Sequence, residues 1–228
     1  MFSCIVAPVK RLLVLIIFIA TAAQAETTHA ELPVVLVFGD SISAGYGIHP
    51  DQGWVALLQA KLKAEGYGYQ VINASVSGET TAGGLARLPR ALSLHQPIVT
   101  LIELGGNDGL RALPIAQMRE NLAQMTRLCV AAHSRPLLLG MRLPPNYGAE
   151  YTEAFASSFN QLARDLKAPL VPFLLDRIAL NPALMQDDGI HPNAKGQPKL
   201  LENVWPALKI LLKEKGRLDA APHFSSIT

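Results

Sequence analysis

The 228-residue chain carries the three side-chain types from which an activated serine is built, and they lie far apart in sequence. Ser41 sits on a glycine-punctuated turn, Gly39-Asp40-Ser41-Ile42-Ser43-Ala44-Gly45-Tyr46-Gly47, at the end of an apolar run. Well downstream, Asp188-Gly189-Ile190-His191-Pro192 supplies a carboxylate and an imidazole. A serine hydroxyl attacks a carbonyl carbon only when a base takes its proton, and an imidazole base needs a carboxylate to hold its tautomer and stabilise its positive form. The combination points to hydrolysis of an ester.

That chemistry passes through a tetrahedral oxyanion, and each donor aimed at it contributes about 3 kcal/mol. The candidates are the backbone N–H of Ser41, the backbone N–H of Gly78, where no Cβ keeps the main chain away, and the side-chain amide of Asn107 in Gly105-Gly106-Asn107-Asp108. Each segment also has a plainer reading. Asp40 or Ser41 would serve as an ordinary helix cap, Ser77-Gly78-Glu79-Thr80 as a turn into another cap, Gly105 to Asp108 as a loop with positive φ, and Asp187 to Asn193 as a solvated turn. What favours function is that all four fall at element ends on one predicted rim.

The elements that would form that rim alternate along the chain. Short apolar runs at Val34–Phe38, Tyr69–Asn73, Ile98–Glu103, Pro136–Met141 and Leu170–Pro172 read as strands. The longer amphipathic segments Gly53–Glu65, Thr81–Leu94, Pro114–Ala132, Glu150–Leu166 and Asn193–Lys213 read as helices. Five strand–helix repeats predict an α/β fold: a five-stranded parallel sheet with right-handed crossovers and helices on both faces. Strand runs without polar alternation fit burial on both faces. Ligands of such sheets collect at the carboxyl ends of the strands, where Ser41, Ser75–Gly78, Gly105–Asp108 and Arg142–Tyr147 are predicted to lie. Within the segment after the fourth strand, Leu143, Pro144 and Tyr147 are candidate substrate contacts. Two prolines and Gly148 suit a partly mobile cover for an acyl chain or aromatic group, or equally a plain entry into the next helix.

Lys10 and Arg11 followed by the apolar run Leu12–Ala20 and by Ala23-Gln24-Ala25 read as a secretory leader over residues 1–25, which places the mature protein in the periplasm or outside the cell. The run is shorter than the roughly 20 residues a spanning helix needs. Residues 26–213 read as one hydrolase domain and 214–228 as a loosely ordered tail. Loss of two of the 20 basic residues with the leader leaves 18 against 18 acidic ones, scattered rather than clustered. That scatter argues against a nucleic-acid stripe or a polybasic lipid patch; the expected partners are small-molecule acyl or aryl esters and thioesters, with no stable membrane insertion after cleavage and a monomeric state. Cys4 departs with the leader, and Cys129 lies on a helical stripe with Leu122, Met125 and Leu128, which predicts burial. The six histidines are dispersed, so neither a metal nor another cofactor is expected. No G-x-S-x-G surrounds Ser41, and the chain has neither a G-x-G-x-x-G nor a P-loop lysine motif.

In order and spacing, Gly39-Asp40-Ser41-Ile42, Gly78, Gly105-Gly106-Asn107-Asp108 and Asp188-Gly189-Ile190-His191-Pro192 resemble the four blocks of the SGNH or GDSL hydrolases, and the likeness covers nearly all of the mature chain. Gly45-Tyr46-Gly47 and Arg142-Leu143-Pro144-Pro145-Asn146-Tyr147-Gly148 resemble in particular the periplasmic thioesterase I/lysophospholipase type, which includes arylesterases. Ile42 stands where leucine is commoner. The resemblance implies a flavodoxin-like three-layer α/β/α sandwich. It also implies Ser41 as nucleophile, His191 as base and then acid, Asp188 rather than Asp187 as its partner, and Ser41, Gly78 and Asn107 as oxyanion donors. The expected activity is cleavage of short to medium acyl and aryl esters and of acyl thioesters. Two alternatives stand beside it: removal of acetyl groups from carbohydrate, and a non-catalytic flavodoxin-like binding module.

Overall fold

The computed structural model describes residues 32–212, so the expected leader at 1–25 and the tail at 214–228 lie outside the described residues. Five strands, β1 (Val34–Gly39), β2 (Gln70–Asn73), β3 (Val99–Glu103), β4 (Arg135–Leu139) and β5 (Leu170–Val171), form one sheet in the order β2-β1-β3-β4-β5. Every pairing is parallel. Parallel strands cannot be joined by tight turns, and long helices make the crossovers. α2 (Trp54–Ala64) packs on α7 (Gln197–Leu211), while α3 (Thr81–His95), α5 (Ile115–Ala131) and α6 (Ala149–Leu166) pack in succession, which gives the α/β/α layering expected from the sequence.

The central strands have no solvent face. Val35, Leu36, Val37 and Phe38 of β1 and Val99 and Leu101 of β3 are fully buried, which accounts for their unbroken apolar runs. α6 presents Phe155, Phe159 and Leu162 to the interior at helical spacing, and the first two rings meet edge to face with centroids 5.5 Å apart. Truncating Phe155 to alanine would cost about 3–5 kcal/mol. The open edge at β2 is closed from α2: Gln59 Nε2 donates to the Tyr69 carbonyl at 3.1 Å, and its Oε1 accepts from Val71 N–H at 2.7 Å. Cys129 is wholly buried, and burial pushes its thiol up to about 12. It is a packing residue.

Most boundaries differ from the sequence reading by one residue, and the larger differences have local causes. β4 ends at Leu139 because β5 pairs only with Leu138 and Leu139. α7 begins at Gln197 rather than Asn193, since Asn193 Oδ1 accepts from Lys195 N–H at 2.9 Å and closes a turn ahead of the helix. Two short helices, α1 (Ser41–Ala44) and α4 (Gly106–Leu110), follow β1 and β3 directly and are too brief to show an apolar period. Strand order, which sequence pattern could not supply, decides the rest. With β1 between β2 and β3, crossovers leave to opposite faces, and a crevice opens at the carboxyl ends of β1 and β3.

Candidate active site

The turn after β1 is built around Asp40. Its Oδ1 accepts the Ile42 N–H at 3.0 Å, capping α1 and starting the helix at Ser41. Asp40 thus plays the capping part that sequence reading had set against a catalytic one, and by doing so it presents Ser41 at the crevice.

The second half of the site arrives on a loop anchored at both ends. Met185 and Pro192 form an isolated antiparallel bridge, Gln186 N–H donates to the His191 carbonyl at 2.8 Å, and Gly189 turns the chain at φ 65°, a conformation in which a Cβ would be strained. Inside the loop, Asp188 Oδ1 accepts the N–H groups of Ile190 and His191, both at 2.9 Å, and its Oδ2 lies 2.6 Å from His191 Nδ1. Burial opposes the charge on Asp188, but those backbone donors and the imidazole outweigh it and hold the carboxyl at about 2. An ionised carboxylate only accepts, so Nδ1 carries the proton and Nε2 turns its lone pair toward Ser41 Oγ, 2.8 Å away. Asp187 is exposed.

The three candidate oxyanion donors border one cleft of about 690 Å³, together with Ser41 Oγ and His191. Asn107 Nδ2 gives one N–H to Asp40 Oδ2 at 3.0 Å, and its second N–H stays free for an oxyanion. Asp108 ties the Asn107 loop to the start of α3. Its two carboxylate oxygens accept from Thr81 N–H at 2.8 Å and from Thr81 Oγ–H at 2.6 Å, while Thr80 caps the same helix just after Gly78. The Gly78 and Asn107 donors therefore share one support.

Most of the cleft wall is apolar. Leu143, Pro144 and Pro145 contribute from the segment after β4, and Phe173, Leu175, Ala179, Leu180, Met185 and Ile190 from the segment leading to the histidine loop. Of the candidate substrate contacts, Leu143 and Pro144 line the cleft. Tyr147 does not: its Oη donates to the Leu110 carbonyl at 2.9 Å, so it tethers the segment to α4. Sequence reading did not reach the stretch 173–185, which has no regular periodicity.

Two carboxyl groups near the serine are shifted by burial, and of these the sequence reading passed over Glu103. Burial raises Asp40 to about 6, although the Ile42 N–H and the His191 charge pull it down. Burial raises Glu103 well above the carboxylate range, and the neighbouring Asp40 raises it further. The signal was available: Glu103 ends an otherwise uncharged strand, Val99-Thr100-Leu101-Ile102-Glu103, and an acid in a doubly covered strand is rare. Among the described residues no cluster of three or more His, Cys, Asp or Glu side chains is placed to hold a metal ion.

Known proteins share this arrangement of sequence. A model of the GDSL-like lipase/acylhydrolase family matches residues 37–198. Esterase TesA of Pseudomonas aeruginosa is 53% identical over 186 residues, covering 82% of this chain and 92% of that protein. The thioesterase 1/protease 1/lysophospholipase L1 of Escherichia coli is 43% identical over 198 residues, covering 87% and 88%. A crystal structure of TesA superimposes with a TM-score of 0.77 at 54% identity, covering 78% of this chain and 99% of that one.

Proposed function

The chain belongs to the GDSL-like lipase/acylhydrolase family and is an ester and thioester hydrolase; from that premise we propose that Ser41, His191 and Asp188 perform the reaction. The observation that carries the assignment is the continuous relay from Asp188 Oδ2 through His191 to Ser41 Oγ, with contacts of 2.6 and 2.8 Å.

His191 Nε2 takes the Ser41 hydroxyl proton as Oγ attacks the acyl carbon. Asp188 steadies the imidazolium that forms without itself taking the proton. The carbonyl π electrons move to oxygen, and the Ser41 and Gly78 N–H groups with the free Asn107 N–H stabilise the oxyanion. Collapse expels the alcohol or thiol, which leaves with the proton from His191, and an acyl-enzyme remains on Ser41. Water, deprotonated by the same imidazole, then releases the acid and restores the serine.

The apolar lining from Leu143 to Pro145 and from Phe173 to Leu180 supports an acyl chain or aryl group as occupant. It gives a carbohydrate few polar partners, and a binding module would have no use for the serine relay. Residues 1–25 act as a secretory leader that delivers the enzyme to the periplasm, and N-terminal sequencing of secreted protein checks this with an expected first residue of Glu26. The site assignment itself is tested by labelling with a serine-directed phosphonate and mapping the adduct. Modification at Ser41 with parallel loss of esterase activity is expected, and an adduct elsewhere overturns it.

A further inference from the structure

Glu103 is completely buried at the end of β3, does not line the cleft, and has no part in the steps above. Its surroundings are nevertheless built for a carboxyl group. Oε2 accepts the Asp40 N–H at 3.2 Å and the Ser43 Oγ–H at 2.7 Å, so a single oxygen holds the chain on both sides of Ser41. The sheet register sets Glu103 beside Gly39, and a Cβ at Gly39 would stand only 2.5 Å from that same oxygen. Glycine at 39 is therefore the residue that leaves room for the carboxyl.

The other oxygen, Oε1, is buried and accepts no hydrogen bond among the described residues, although the Glu103 carboxyl lies within hydrogen-bonding reach of the Asp40 carboxyl. A half-satisfied acid is unfavourable in a core, where an apolar residue of similar size would pack without loss. Stability alone does not explain it. Position does: the two groups that Oε2 holds are Asp40, whose carboxylate reaches both Ile42 N–H and the Asn107 amide, and Ser43, within the helix that begins at the nucleophile.

We propose that Glu103 is a positioning residue of the active site, whose Oε2 pins the turn on either side of Ser41 and, through Asp40, sets the Asn107 amide at the oxyanion position. The nucleophile and one oxyanion donor then share a single anchor inside the sheet, and their separation does not depend on the mobility of surface loops. The inference rests on the roles given above to Ser41 and Asn107.

Three variants test it: Glu103→Leu, which keeps volume but loses the acceptor, Glu103→Gln, which keeps one acceptor oxygen, and Ser43→Ala, which removes a tether with little change of volume. Each is assayed with a p-nitrophenyl ester, with rates normalised to phosphonate-titrated sites and folding followed by thermal melting. Small misplacement of reacting groups lowers the chemical step rather than binding, so Glu103→Leu is expected to lose about ten- to a hundredfold in kcat with KM within about twofold. Glu103→Gln recovers most of that loss, and Ser43→Ala falls about threefold in kcat. Should Glu103→Leu not fold, Ser43→Ala and Glu103→Gln decide the matter. Unchanged kcat in Ser43→Ala, a change confined to KM, or Glu103→Gln no better than Glu103→Leu overturns the proposal. If wild-type Ser41 is not labelled, the assignment of the nucleophile fails instead, and the two failures are thereby told apart.

Discussion

The ring of Tyr46 lies 4.7 Å from that of His191, tilted by 41°, and Gln186 Nε2 fastens the Tyr46 carbonyl at 2.8 Å. The segment after α1 is thus clipped to the histidine loop, and an aromatic face backs the imidazole at the moment it becomes positive. A cation beside an aromatic face gains about 0.5–2 kcal/mol, so Tyr46→Ala should lower kcat roughly two- to thirtyfold while Tyr46→Phe stays near wild type. Steady-state kinetics of the pair separates this from a role for the hydroxyl.

Ser41→Ala should abolish all but residual turnover and leave the melting temperature close to wild type, since among the described residues the hydroxyl bonds only to His191. Asn107→Ala should lower kcat about a hundredfold with little change in KM, because its free N–H meets charge that develops only in the transition state. A change in KM alone would mean that Asn107 only holds substrate.

Acyl-chain dependence follows from the cleft wall. Each buried methylene contributes about 0.8 kcal/mol, so kcat/KM for p-nitrophenyl esters should rise up to about fourfold per carbon until the cleft is filled. Leu180, 94% exposed at the cleft, should affect only the longer chains. Leu180→Ser is expected to flatten the upper end of the series and leave acetate turnover unaltered.

Stability should respond to pH through buried acids that are raised, Asp40 and Glu103, and through one that is lowered, Asp188. Asp40 is raised from 3.8 to about 6 in the folded protein, so the native state binds the extra proton and stability declines as pH rises from about 4 through 6. Asp188 is lowered from 3.8 to about 2, so its contribution is present above pH 4 and fades as pH falls toward 2. Urea unfolding across pH 2–8 should show Asp40→Asn with a smaller decline above pH 4, the remainder belonging to Glu103, which burial also raises, and Asp188→Asn without the loss at the acid end.

Composition and local pattern were enough to read a parallel α/β sandwich, because helical and strand periods are written in consecutive residues and uninterrupted apolar strands imply cover on both faces. They were enough, too, to name Ser41, Gly78, Asn107, Asp188 and His191 as candidates, since turn glycines and reactive side chains are visible one position at a time. The Asp188–His191 contact is itself nearly local, closed by a turn of three residues.

What only the tertiary structure decided depends on pairings of distant segments. The order β2-β1-β3-β4-β5 puts the ends of β1 and β3 side by side, and so brings Asn107 to Asp40 across 67 positions of sequence. Tyr147 looked like a cleft residue until its hydroxyl was seen bonded to the Leu110 carbonyl, a partner 37 positions away. Glu103 shows the limit most clearly: the sequence reading passed it as a strand end, and its meaning lies in the register that sets it against Gly39 and under the turn carrying Ser41. Periodicity reports which face a residue occupies, and hydrogen bonds between strands report what it faces; the second is not contained in the first.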